Sequence, residues 1–309
     1  MKKYKIIDYF VHQGHQREFA KTGHDFYLIG ANGKVPNWNQ DHRPLPENVN
    51  LISESEALEI DFDIAMIRTP IAIKRYQPFL SKGTVPIAVI QTTDPHAFPT
   101  SIKHIVWNSK IALQKNIGFY RNRKQHYIVH GYDPEEFRPI DIAKNSRVLT
   151  IANHFKKRDK IMGYDIWEHV RRVHPVCDVI GSKNEDVNGA IDHLDSLQEL
   201  IETYNHYSIY FNPTRKSAMP RSRAEAAMCG MPIVSTMFYD FSLYFKPGKD
   251  AFLSNSKEQL SRDIGKLLKS EQMREDYGQR SRELAIKYFH INDYIDRWNQ
   301  VFELALRDS

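Results

Sequence analysis

The stretch Asn212-Pro-Thr-Arg-Lys-Ser-Ala-Met-Pro-Arg-Ser-Arg-Ala-Glu-Ala-Ala-Met-Cys-Gly-Met-Pro-Ile-Val-Ser-Thr236 reads as strand end, loop, helix and strand. The apolar run Ser208–Asn212 is a strand, and a loop of small and basic residues follows it. Pro220 stands where a first helical turn starts, with its ring preset for a helix and its missing N–H harmless there. The helix runs Arg221–Cys229, Gly230 caps it, and Met231-Pro232 leads into the strand Pro232–Ser235. A helix N-terminus with Arg221 and Arg223 beside it is thereby set at the carboxyl end of a sheet. Free backbone N–H groups, the helix dipole and guanidinium forks all favour a phosphate there. Glu225, one turn inside, is a poor phosphate ligand but a good acceptor for sugar hydroxyls, such as the two of a ribose. The plainer reading is a solvated helix with an ordinary Arg–Glu pair.

The same alternation extends in both directions. Before the stretch come strands at Arg147–Ile151 and Val176–Ile180, with helices at Tyr164–Val173 and Leu194–Tyr204. Further upstream, Lys5–Phe10, Asp25–Ile29, Phe62–Ile67, Pro86–Gln91, Lys103–Trp107 and His126–Val129 read as strands, with a helix at Gln16–Lys21. Several are nearly continuous apolar runs, which suit parallel strands covered on both faces. The linker His130–Pro139, with its glycine and two prolines, marks a domain boundary. Two doubly wound, Rossmann-like α/β domains facing across a cleft are expected: 1–142, 143–288, and a terminal helix 289–309 returning to the first. That last helix keeps Ile291, Tyr294, Ile295, Trp298, Phe302 and Ala305 at helical spacing.

Composition bounds the function without naming it. The 309 residues are 41% hydrophobic and 26% charged, enough for two packed cores. No apolar run approaches the ~18 residues of a membrane span, and the N-terminus lacks a signal-peptide core, so a cytoplasmic setting with at most peripheral membrane contact is expected. Two cysteines, Cys177 and Cys229, are too few for a disulfide framework. The net charge of +5 favours anionic partners generally, but no long basic block supports nucleic acid. No glycine-rich dinucleotide or P-loop pattern follows a first strand, and Gly30 and Gly33 sit after the second. Asp61-Phe62-Asp63 opens a strand instead of closing one, and neither His12 with His15 nor His126 with His130 completes a zinc set, so no metal site is expected.

Taken together the residues resemble the signature of family four glycosyltransferases of the GT-B fold. Pro213-Thr214 and the run Ala224-Glu-Ala-Ala-Met-Cys-Gly-Met-Pro-Ile-Val234 match it in register. Phe19–Phe26 is similar to that family's Leu-Ala-x-x-Gly-His-Glu-Val, and His130–Pro139 to its interdomain linker. The resemblance implies a metal-independent hexosyl-type transfer, with retention, from a nucleotide diphosphate sugar (a UDP-sugar) to a hydroxyl of a carbohydrate or other acceptor, with no permanently bound cofactor. It implies nucleotide-sugar contacts at Gly14, Asn153, Lys157, Arg158, Lys160, Ser217, Met219, Pro220, Arg221, Ser222 and Glu225. Glu225 would hold the ribose, and the cations of Lys156–Lys160 with Arg221 would neutralise the leaving diphosphate. Gly14, in a loop Val11–His15, would admit the phosphate, while His15 and Asp94 would act as catalytic groups orienting the acceptor hydroxyl.

The departures are specific. The family's first glutamate falls on Ser217, its glycine on Pro220, and its arginine clamp is replaced by the cations after Ala152. Its His-Asp pair appears as Thr92-Thr93-Asp94. These motivate two alternatives: a non-catalytic GT-B protein binding a nucleotide or a partner, or a transferase glycosylating nucleic acid bases.

Overall fold

Strands apolar at every position must be covered on both faces, which requires parallel sheets with helices on either side. A computed structural model, describing residues 2–217 and 219–309, has two such sheets. The chain divides into a unit made of Met1–Gly131 with Ile291–Ser309, and a second unit Tyr132–His290.

The first unit runs β1 (Lys5–Tyr9), α1 (Gln13–Ala20), β2 (Asp25–Ile29), β3 (Val49–Ile52), α2 (Glu54–Ala57) and β4 (Ile64–Ile67). It continues with a 3-10 turn (Pro70–Ala72) into α3 (Ile73–Leu80), then β5 (Val85–Ile90), β6 (His104–Trp107), α4 (Lys110–Asn116), a 3-10 turn (Ile117–Tyr120) and β7 (Lys124–Tyr127). The strands are all parallel, in the order β3-β2-β1-β4-β5-β6-β7. Alternate residues serve opposite cores. Ile6, Met66 and Val89 pack with Phe19 of α1 and with Trp298 and Phe302 of the terminal helix. Ile7, Ala65 and Ile90 pack with Tyr76 and Phe79 of α3.

The second unit runs β8 (Val148–Ile151), α5 (Asp159–Met162), α6 (Tyr164–Val173), β9 (Cys177–Ile180), β10 (Ala190–Ile191), α7 (Leu197–His206) and β11 (Ile209–Asn212). Next come α8 (Arg221–Met228), β12 (Ile233–Ser235), α9 (Phe241–Tyr244), β13 (Phe252–Leu253), α10 (Lys257–Lys269) and α11 (Glu271–Phe289). The helix α12 (Ile291–Arg307) belongs to the first unit. The second sheet has the order β10-β9-β8-β11-β12-β13, again parallel. Its core gathers Val148, Val179, Phe211 and Val234 under Trp167 and Val170 of α6 and Ile264 of α10.

In each sheet the strand order reverses once: between β1 and β4, and between β8 and β11. Loops leaving those two strands diverge to opposite faces and open a crevice beyond the carboxyl ends.

Candidate functional site

In the second unit the two loops flanking the reversal are knitted together before any ligand is considered. The loop after β8 is tied to the loop after β9: Ser182 N donates to Asn153 Oδ1 (2.9 Å), and Phe155 N to Asn184 Oδ1 (2.8 Å). Gly181 (φ +146°) is required there, because a Cβ would stand 2.3 Å from the Ala152 carbonyl oxygen. The loop after β11 joins α5: Arg215 N and Lys216 N both donate to Ile161 O (2.8 and 3.0 Å). Arg215 also bridges to Asp165 (2.6 Å) and Asp159 (3.7 Å). The crevice wall is thus preorganised by its own hydrogen bonds.

The cations of the first loop, Lys156, Lys157, Arg158 and Lys160, are exposed. Lys156 reaches Asp186 at 3.5 Å and lies over the Tyr164 ring. Asn153, expected at the nucleotide, has an exposed side chain whose Oδ1 closes the loop.

Helix α8 starts at Arg221, so Pro220 is the residue before the first turn and not its first member. Pro220 offers no side-chain cap, and the helix N-terminus is left to other partners. Gly230 (φ +73°) ends the helix as read from the sequence. Ser222 accepts from Tyr210 O–H (2.6 Å). Ser217 and Pro220 are half-buried, and Met219 is buried with its sulfur 3.9 Å from Arg223 Nη2. Glu225 is 4% exposed. Its Oε2 accepts from Tyr204 O–H (3.0 Å) and its Oε1 from Arg221 Nη2 (3.3 Å), while the Arg221 guanidinium lies over the Tyr132 ring (5.1 Å). Burial, then the nearby Glu225 charge, pushes the Tyr204 hydroxyl well above its usual range, so Tyr204 is a standing donor to the carboxylate. Arg223 is enclosed, donates to Ser235 Oγ (2.9 Å) and lies 4.1 Å over the Phe241 ring. Burial lowers it to about 9.

The crevice of the first unit holds a cluster that sequence reasoning missed. Asp8, fully buried in β1, receives a forked bond from Arg68 at the exit of β4 (Nη2 2.6 Å, Nε 3.2 Å) and one from Gln16 (3.0 Å). Arg68 Nη1 also lies 2.9 Å from His15 Nε2, as does Gln91 Nε2. A guanidinium only donates, so His15 Nε2 accepts and its proton sits on Nδ1. A signal was present: Asp8 interrupts an apolar strand and Arg68 ends another, and buried charges must be paired. Gly14 and His15, expected in a loop, lie in the first turn of α1, because His12 caps that helix by accepting from His15 N (3.3 Å). A Cβ on Gly14 would meet His12 and Arg43 at ordinary distances of 3.4 and 3.5 Å. His15 is 6% exposed, whereas Asp94 is exposed in the loop after β5, where Thr93 Oγ1 donates to it (3.3 Å). Gly14, His15 and Asp94 thus lie in the first unit, and the other nucleotide-sugar candidates in the second.

Residues 152–300 match the family described as Glycosyl transferase-like. No curated protein matches the chain. Among solved structures, HepE of Anabaena, in complex with UDP and glucose, superposes with a TM-score of 0.75 at 11% identity, covering 97% of this chain and 99% of its own. Sucrose-phosphate synthase from Thermosynechococcus elongatus gives 0.74 at 10% identity, covering 99% and 100%. TarM of S. aureus, in complex with fondaparinux, alpha-GlcNAc-glycerol and UDP, gives 0.64 at 12% identity, covering 77% and 55%. The chain therefore spans about half the length of TarM. The chain has the GT-B fold of these glycosyltransferase structures, and its residues 152–300 match the glycosyl transferase-like family.

Proposed function

We propose that the protein transfers a sugar from a UDP-sugar to a hydroxyl of a carbohydrate or other acceptor, with retention and without a metal. The observation that carries this reading is the side-chain-uncapped N-terminus of α8 at the reversal of the second sheet, with Glu225 one turn inside it. HepE and TarM, whose structures hold UDP, support the choice of nucleotide; retention and metal independence rest on the sequence resemblance.

In this reading the diphosphate lies against the N–H groups of Arg221 and Ser222, and Lys157, Arg158 and Lys160 approach from the other loop. The ribose hydroxyls replace Arg221 on Glu225 Oε1, Tyr204 keeps Oε2, and the released guanidinium turns to the phosphates. The bond from the anomeric carbon to the β-phosphate oxygen breaks as the acceptor oxygen bonds to the same face of that carbon. The acceptor proton ends on the leaving phosphate. Negative charge grows on the departing oxygen, so fixed cations there stabilise the transition state more than the ground state. On the acceptor side Asp94 is the exposed group able to accept a hydroxyl, and His15 acts from within the fold as part of the Asp8–Arg68 clasp.

Titration of UDP by calorimetry tests the reading. Glu225→Ala should weaken UDP about tenfold or more, the worth of hydrogen bonds to a charged acceptor, while unfolding stays cooperative and loses about 1–3 kcal/mol for the unpaired Tyr204 hydroxyl. Unchanged affinity would remove Glu225 from the site. Ser217, standing where the family has glutamate, favours the second reading of a binding protein without turnover. Binding of UDP with no slow hydrolysis of labelled UDP-sugars would select it.

A further inference from the structure

From β4 to β7 the first unit changes electrical character. Residues 64–132 carry ten Lys and Arg side chains against one carboxylate, Asp94, a formal +9 where the whole chain carries +5. The remainder is net negative, so the positive field of the protein originates here.

Within this region α4 crosses from the exit of β6 back to the entry of β7. Its terminal 3-10 turn, Ile117–Tyr120, therefore lies at the amino ends of the strands, the rim opposite the crevice of Asp8 and Arg68. Tyr120 is buried and anchors the turn, with the Arg123 guanidinium 5.0 Å over its ring and donating to Phe98 O (2.8 Å). On either side of Gly118, Ile117 and Phe119 are 59% and 55% exposed. Lys115, Arg121 and Lys124 are exposed around them. Lys124 also meets Asp308 near the end of the chain (2.5 Å), and Lys103 bonds the Asp308 carbonyl.

We propose that this rim docks the protein on an anionic membrane surface. Ile117 and Phe119 enter the boundary between headgroups and acyl chains, and Lys115, Arg121 and Lys124 meet lipid phosphates. Cations alone would suit a nucleic acid or an acidic glycan equally well. Two large apolar side chains standing in water gain nothing from a hydrated polyanion, but gain burial at a lipid interface. Among the described residues no helix is long and apolar enough to cross a membrane. The inference is independent of the nucleotide site, which lies in the other unit.

The test is co-sedimentation of the full chain with vesicles of phosphatidylcholine alone or with phosphatidylglycerol added, alongside retention on heparin. The protein should partition onto the anionic vesicles and not the neutral ones. Ile117→Ser with Phe119→Ser should lower that partition about tenfold and leave heparin retention unchanged. Lys115→Glu with Arg121→Glu should lower both, by about fivefold for each cation removed. All four side chains are exposed, and unaltered unfolding temperatures confirm folded variants. No binding to anionic vesicles, or equal binding by the Ile117/Phe119 variant, overturns the proposal. Heparin retention without vesicle binding does so too, and assigns the rim to a polyanion.

Discussion

Asp8 is a charge without access to water, and Arg68 makes that tolerable by a two-pronged bond. Arg68→Ala leaves a lone buried carboxylate and should cost about 3–5 kcal/mol in urea unfolding. In the intact protein, nitrogen NMR of labelled histidine should show His15 at neutral pH with its proton on Nδ1. A proton on Nε2 would mean that Arg68 does not hold the ring as described. At this scale the sequence was legible where a residue sits in a patterned neighbourhood. Glu225 stood out because a proline, two arginines and a glycine frame its helix. Its partner Tyr204 was invisible, since nothing in α7 announces that its tyrosine points at a helix some twenty residues later.

Among elements, the edge pair β6 and β7 carries a feature that responds to pH. His104 and His126 stack across the pair, with Nδ1 and Nε2 3.1 Å apart. Asp308 accepts from His104 Nε2 (2.9 Å), so neutral His104 must accept from His126. Burial, then the neighbouring His104, lowers His126 to about 4; Lys124 opposes its protonation and Asp308 favours it. The unfolded chain takes up a proton near the ordinary histidine value of ~6.5, and the folded one resists until about 4. Stability is therefore fully present above that ordinary value and falls as pH drops through the interval. Melting temperatures across this range should decline, and His126→Gln should flatten the decline; an identical slope would exclude His126 as its source. Element boundaries were most legible where the apolar pattern was clear, as at Asp25–Ile29 and Tyr164–Val173, which stand as read. α1 begins earlier than its pattern suggests, because a histidine serves as the cap. β3 is only four residues long with Asn50 inside it, and α3 contains Pro78, so neither announces itself.

For the whole molecule, the alternation of strands and helices was enough to give two doubly wound sheets, since each nearly continuous apolar strand demands cover on both faces. The acceptor could not be read, because it is chosen by loops that carry no periodic pattern. On the proposed reading, UDP held by the second unit would stabilise that unit by mass action. Hydrogen exchange with saturating UDP should slow mainly within 132–290; equal slowing in 1–131 would place the nucleotide elsewhere. The first unit is assembled from two separated pieces of chain, with Trp298 and Phe302 of α12 completing its core. During synthesis this inverts the usual order in which the leading domain folds first. The second unit is uninterrupted, and its whole sequence is translated before α12 is made. Until then the α12-facing side of the first sheet has α1 against it but lacks Trp298 and Phe302, so part of its apolar surface stays open to solvent while the second unit is being made.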